Sequence, residues 1–123
     1  MVIVLAHLIV TVIHGTAHTK AQVPLSPAAT AFVFSVILAG PLVGLALWLI
    51  AGRIGAWVVA ATMASALVFG FVNHFVFASP DHIAHVAGQW RTLFATTAVL
   101  LALTEALSAG IALRVAQIRE LVS

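Results

Sequence analysis

Six histidines in a chain of 123 residues are the side chains with the clearest capacity for chemistry. His7, His14 and His18 fall with Thr11 on one stripe of an otherwise apolar segment, if that segment is a helix turning about 100° per residue. The i, i+4 spacing of His14 and His18 allows two imidazoles to bind one metal ion. The spacing therefore predicts a pair of ligands on one helix face.

A second group of histidines lies far along the chain. His74 stands near the end of a later apolar segment, and two more histidines follow in Pro80-Asp81-His82-Ile83-Ala84-His85. If the first and third apolar segments cross a membrane in the same direction, His14 and His74 lie at similar depth. We expect Asp81 to be the acceptor that fixes an imidazole behind a metal. The predicted metal ligands are His14, His18, His74, His82 and His85.

The identity of the ion is limited by the types of side chain present. Imidazole with a carboxylate suits Zn, Cu, Fe or Mn. The chain has no Cys, which excludes disulfides, thiolate metal sites and iron–sulfur clusters. The H-E-x-x-H spacing of zinc proteases is also absent. The pattern thus indicates a transition-metal site near the outer, periplasmic membrane face without naming one metal.

Glu105 is the acid that lies deepest in an apolar segment. By helical arithmetic it shares one face of the fourth segment with Arg91, Phe94 and Ala98. A lone carboxyl group inside a membrane is expected to be neutral or paired, and His7 is the predicted partner. Glu105, His7 and Arg91 are therefore the candidate catalytic residues, suited to a redox or hydrolytic reaction on a lipid-soluble substrate.

Three alternatives stay open on sequence grounds. His14 and His74 could ligate one b-type haem from opposite sides, with Gly70 giving the macrocycle room and Arg91 pairing with a propionate. His and Glu side chains could also act without a cofactor, as acid and base on an isoprenoid, a quinone or a sterol-like molecule. The chain could instead be an accessory or structural subunit of a larger membrane complex.

Composition restricts the fold to a membrane protein. The chain is 63% hydrophobic, and its 7% of charged residues is far below the roughly 25% of soluble domains. Its net charge of +2 is too small to indicate a nucleic-acid binder. Apolar segments separated by polar turns predict an all-α, integral membrane, four-helix up-down bundle. It forms one domain over residues 1–123, with spans at about 2–18, 28–51, 54–78 and 86–117.

Charge and small residues suggest how the bundle lies and packs. Arg53, Arg114 and Arg119 fall on the side of both termini, which predicts that the termini are cytoplasmic. Gly40 and Gly44 form a G-x-x-x-G pair that favours close helix packing, within the bundle rather than in a dimer. The expected partners are the lipid bilayer and, as an open alternative, a second copy or a larger complex.

Overall fold

The computed structural model describes the backbone of residues 1–121 and the side chains of residues 1–118, so the side chain of Arg119 lies outside it. The described chain is helical and contains no strand, which confirms the all-α prediction. The helices are long and apolar enough to cross a membrane, and in the last helix this holds for Arg91–Ile118. They are α1 (Val2–Lys20), α2 (Pro27–Ile50), α3 (Gly52–Val76) and α4 (Arg91–Leu121).

The last helix begins later than the predicted span, which started at Val86. Gly88 adopts a φ of +75°, a left-handed conformation that an α-helix cannot continue through. The backbone N–H of Arg91 then bonds to the Gly88 carbonyl as the helix starts. The connection from α3 to α4 is therefore longer than predicted, and it carries Asp81 and two of the histidines.

Helix α1 buries its polar stripe and exposes its apolar side. His7, Thr11, His14 and His18 are all buried, as the 3.6-residue period requires for one face of a helix. Ile9 and Val12, on other faces, are among its exposed large hydrophobics. This inverted arrangement suits a helix whose outer surface meets lipid.

Helix α2 contains a π-helical turn before Pro41. Ser26 caps its start by accepting a hydrogen bond from the Ala29 N–H at 3.1 Å. The stretch Val33–Ala39 is π-helical and is followed by Pro41. Since proline has no N–H to donate to the carbonyl one turn earlier, the backbone widens there.

Helix α3 ends in a second π-helical turn, Val72–Val76, and this turn carries His74. Beyond it, Phe77 is extended and the chain leaves the helix. The backbone N–H of Ile83 bonds back to the His74 carbonyl at 3.0 Å. The α3–α4 connection is thereby tied to the helix end that presents His74.

Glycines let α2 and α3 approach closely within one chain. A Cβ on Gly40 would meet Thr62 Cγ2 at 2.6 Å, and one on Gly44 would meet Val59 Cγ2 at 2.7 Å. A Cβ on Gly55 would collide with the backbone at Trp48. The predicted G-x-x-x-G pair therefore packs these two helices together.

The helices do not pack equally around the interior. Helix α4 lies against α1 and α3, and α2 lies against α3. By contrast, α1 meets α2 sparsely, chiefly at the π-helical stretch Val33–Ala39. Among the seams between neighbouring helices of the described fold, the one between α1 and α2 is thus the least closely packed.

Gly44→Ala is expected to destabilise the protein by roughly 1–3 kcal/mol, because the new methyl group also lies 3.0 Å from the backbone nitrogen of Val59. Gly110→Ala is the matched control, since a Cβ there meets nothing within 4 Å. Thermal unfolding in detergent measures both variants. Equal melting temperatures for the two variants would contradict the packing described here.

Candidate metal centre

Three buried imidazoles meet at one end of the interior. His14 and His18 come from α1 and His74 from the π-helical end of α3, and each is less than 10% exposed. One ligand atom from each residue lies within 4.8 Å of the other two. We refer to these three residues as the histidine cluster. The structure therefore brings together three of the five predicted ligands.

The protonation of His14 is fixed by Thr97. The Thr97 hydroxyl lies 2.7 Å from the Leu93 carbonyl oxygen, and two oxygens so close need the hydroxyl proton between them. That hydroxyl must then accept from His14 Nδ1–H, at 2.7 Å. His14 Nε2 is left with a lone pair. The spacing of the histidines did not single out Thr97, although its place one turn after Phe94 puts it near the same face of α4.

The protonation of His74 is fixed by Asp81. His74 Nδ1 lies 3.0 Å from the Asp81 carbonyl oxygen and 3.2 Å from its carboxylate Oδ1. Both atoms only accept hydrogen bonds, so Nδ1 carries a proton, and Nε2 carries the lone pair when the ring is neutral. Asp81 thus lies behind the His74 imidazole as an acceptor, and its role behind a metal ion stays a prediction.

The two lone pairs of His14 and His74 point at each other. Their Nε2 atoms are 3.2 Å apart, and when both rings are neutral, with their one proton on Nδ1, no hydrogen lies between them. Such a contact is repulsive unless a metal ion, or a second proton on one of the rings, lies between the two nitrogens. In tetrahedral coordination, with metal–nitrogen bonds of about 2.0–2.1 Å, two ligand nitrogens are about 3.3 Å apart. The observed distance between the two Nε2 atoms is close to this value.

His18 faces acceptors on both sides of its ring. Nδ1 lies 3.3 Å from the Val23 carbonyl oxygen, and Nε2 lies 3.2 Å from Asp81 Oδ1. A neutral imidazole has one N–H, so at one of these two contacts an unprotonated ring nitrogen faces an oxygen that also only accepts hydrogen bonds. If Nδ1–H donates to Val23 and Nε2 binds a cation, the conflict is removed. The third ligand would then shift inward by on the order of 1 Å, because 4.8 Å exceeds the tetrahedral edge.

Asp81 supplies negative charge beside the cluster. Burial alone would raise the pKa of its carboxyl group, but the approach of His74, followed by His18 and His14, outweighs burial and holds that pKa below its ordinary value. Its Oδ1 is buried and makes no hydrogen bond of good geometry among the described residues. An ionised oxygen in that state favours a cation nearby.

Phe94 closes one side of the cluster. Its ring centroid lies 4.8 Å from those of His14 and His18 and 5.5 Å from that of His74, and the side chain is fully buried. The ring keeps water away from the imidazoles on that side. Electrostatic interactions within the cluster are accordingly weakly screened.

A cavity of about 70 Å³ extends from the histidine cluster toward Glu105. Ile37 from α2 and Gly70 from α3 line it between these two ends. At the far end Glu105 Oε1 lies 3.8 Å from Nδ1 of His7, the partner predicted for it. The cavity has space for a few heavy atoms, since one water needs about 10–15 Å³ of such volume.

The other predicted site residues lie elsewhere. His82 and His85 pack against each other in the α3–α4 connection, with ring centroids 5.1 Å apart, and His85 is exposed. His82 Nδ1 accepts the Ala84 N–H, and His85 Nδ1 bonds to the Ser79 carbonyl. Arg91 is exposed at the start of α4. The structure brings none of the three to the histidine cluster.

The geometry does not favour the haem alternative. Two axial nitrogens of a haem stand on opposite faces of a porphyrin, whereas His14 Nε2 and His74 Nε2 are at contact distance. The adjoining cavity of about 70 Å³ is also too small for a macrocycle. A bare ion fits the same two nitrogens.

The fold and the site together define a helical protein with four membrane-capable segments and a buried histidine group able to hold a metal ion. No protein-family model matches the chain, and no curated protein or solved structure matches it.

Thr97→Val is expected to weaken metal binding about 10–100-fold, because His14 Nδ1–H loses its acceptor and the orientation of Nε2 is no longer fixed. Thr96→Val is the matched control, since Thr96 is its exposed neighbour. Chelator competition on protein without a histidine tag measures both affinities. Equal affinities for the two variants would contradict the assigned role of Thr97.

Proposed function

We propose that this protein is a membrane metalloenzyme that holds one divalent ion through Nε2 of His14, His18 and His74. Zn²⁺ is an ion whose tetrahedral geometry matches the 3.2 Å between Nε2 of His14 and Nε2 of His74. Three protein ligands leave one position open, as in catalytic rather than structural zinc sites. The activity that fits is Lewis-acid chemistry on a small, lipid-soluble molecule.

The facing lone pairs of His14 and His74 carry this proposal. A second proton could bridge these two nitrogens only by making one ring cationic, whereas a metal ion bridges them with both rings neutral. Here Thr97 and Asp81 draw both protons to the outer side of the rings. The polar groups behind the imidazoles are therefore arranged as they are behind ligated histidines in metal sites.

The cavity supports a catalytic rather than a storage role. It adjoins the ligating rings and is lined mainly by apolar side chains, with Glu105 at its other end. A metal kept for storage or structure needs no such space beside its open position. A bound molecule would lie between the ion and a carboxyl group, where acid–base chemistry and Lewis-acid activation can act together.

The packing of the helices supports access from the membrane. The cavity is bordered by Gly15 of α1 and Val33 of α2, on either side of the least closely packed seam. The outer faces of these helices are apolar, so a molecule dissolved in the lipid can reach the seam without crossing water. We therefore infer a lipid-soluble substrate.

The proposed arrangement in the membrane is an up-down bundle whose termini are cytoplasmic. Short connections join α1 to α2 and α2 to α3, which suits antiparallel neighbours. Arg53 and Arg114 fall on the side of the termini. The histidine cluster then lies near the outer face of the membrane.

Metal analysis of purified protein without a histidine tag tests the proposal. About one equivalent of metal per chain is expected in the native protein. His14→Ala and His74→Ala are each expected to weaken metal binding more than about 100-fold, because each removes a ligand. Loss of an acceptor that only orients a ligand costs less, about 10–100-fold. Titration with Zn²⁺ against a chelator gives the affinities.

His85→Ala is the matched control for these variants, because it removes an exposed imidazole outside the cluster. It should keep both the stoichiometry and the affinity of the native protein. Circular dichroism establishes that each variant is folded. Native protein without metal after Zn²⁺ loading, or equal losses for His85→Ala and His14→Ala, would overturn the proposed site.

A further inference from the structure

A second group of buried polar atoms lies at the inner end of the cavity, away from the histidine cluster. Glu105 is 2% exposed and His7 is fully buried. The His7 Nδ1 atom has no hydrogen-bond partner among the described residues, although Glu105 Oε1 lies 3.8 Å from it. An unpartnered nitrogen beside a carboxyl group inside a membrane protein is costly, and it calls for a function.

The protonation of His7 follows from Thr11. The Thr11 hydroxyl donates to the His7 carbonyl at 2.9 Å, so it accepts from His7 Nε2–H at 3.3 Å. In the neutral ring with this proton on Nε2, Nδ1 presents a lone pair toward Glu105. It can receive a hydrogen bond from the carboxyl group only when that group carries a proton. His7 is thus placed to hold a protonated Glu105.

Glu105 also adjoins the space beside the proposed ion. A Cβ built on Gly70 would lie 3.8 Å from Glu105 Oε2 and 3.9 Å from Cδ2 of His74. The missing side chain of this glycine leaves open the path between the carboxylate and the cluster. A ligand of a few heavy atoms in the cavity can reach both ends.

Charge balance gives Glu105 its role. A divalent ion among neutral imidazoles brings two positive charges into a region where an uncompensated charge is very costly. The chain has three acidic residues, of which Asp81 and Glu105 line this cavity. If both are ionised, the loaded site is neutral. Binding a further anion would break that balance unless a proton entered with it.

We propose that Glu105 accepts the proton of a small, uncharged, protic ligand as that ligand binds the metal ion. The H–X bond of the ligand breaks, its electron pair stays on X, and X⁻ binds the ion. The proton forms a new O–H bond on Glu105, which then donates to His7 Nδ1. The site is neutral before and after this step. The inference rests on the proposed metal site, and it specifies the ligand class as neutral weak acids rather than anions.

Methanethiol is a suitable probe, because it is small, uncharged, soluble in lipid and binds metals as the thiolate. Protein loaded with Co²⁺ gives a visible spectrum that reports both metal occupancy and thiolate binding. Titration calorimetry in two buffers of different ionisation enthalpy then counts the protons released. The native protein is expected to bind the thiol with a release near zero, because Glu105 takes the proton.

Glu105→Gln removes the acceptor while keeping the shape of the side chain, and it should raise proton release to about one per thiol bound. Thr104→Val is the matched control, because among the described residues the Thr104 hydroxyl bonds only to carbonyls of its own helix. It should behave as the native protein does.

The outcomes separate this inference from the proposed function. Absence of a Co²⁺ spectrum in the native protein would overturn both. Co²⁺ binding without thiol binding, or the same proton release from the native protein and from Glu105→Gln, would overturn the role of Glu105 and leave the metal site standing. A release near zero that rises to about one only in Glu105→Gln would support it.

Discussion

Two imidazole nitrogens 3.2 Å apart that both present lone pairs are the constraint on which the rest of the site depends. A proton between them would make an ordinary hydrogen bond, but it would be a second proton on one ring, because each neutral ring uses its one proton on its outer side. Thr97 takes one and Asp81 takes the other. A shared cation removes the repulsion, and the distance corresponds to two ligands of one tetrahedral ion.

The fold holds these groups in place with few elements. The π-helical turn at the end of α3 carries His74, and a hydrogen bond from Ile83 ties the following connection to the same turn. That connection supplies Asp81, so one segment both presents the imidazole and fixes its proton. Phe94 from α4 packs against all three rings of the cluster. The low dielectric of this packed region strengthens each of these interactions.

Much of the site followed from helical spacing. The period of α1 predicted that His14 and His18 share a buried face, and matching depths in two helices predicted that His74 meets them. The same arithmetic placed Glu105 opposite His7, now 3.8 Å apart. These inferences needed only a regular helix, a direction of crossing and the cost of polar groups in lipid.

Other features depend on tertiary geometry that spacing does not encode. His82 and His85 follow Asp81 closely in sequence, yet the turn of the connection brings Asp81 inward and leaves them outside the cluster. The hydroxyl of Thr97 gained its second role only through the approach of α1 to α4. The seam between α1 and α2 likewise reflects the packing of whole helices.

X-ray absorption spectroscopy at the metal edge of protein loaded with Zn²⁺, free of any histidine tag, tests the central claim most directly. The account predicts three imidazole nitrogens at about 2.0–2.1 Å, with one further light atom in the open position. A shell of oxygen atoms alone, or fewer than two imidazoles, would contradict it.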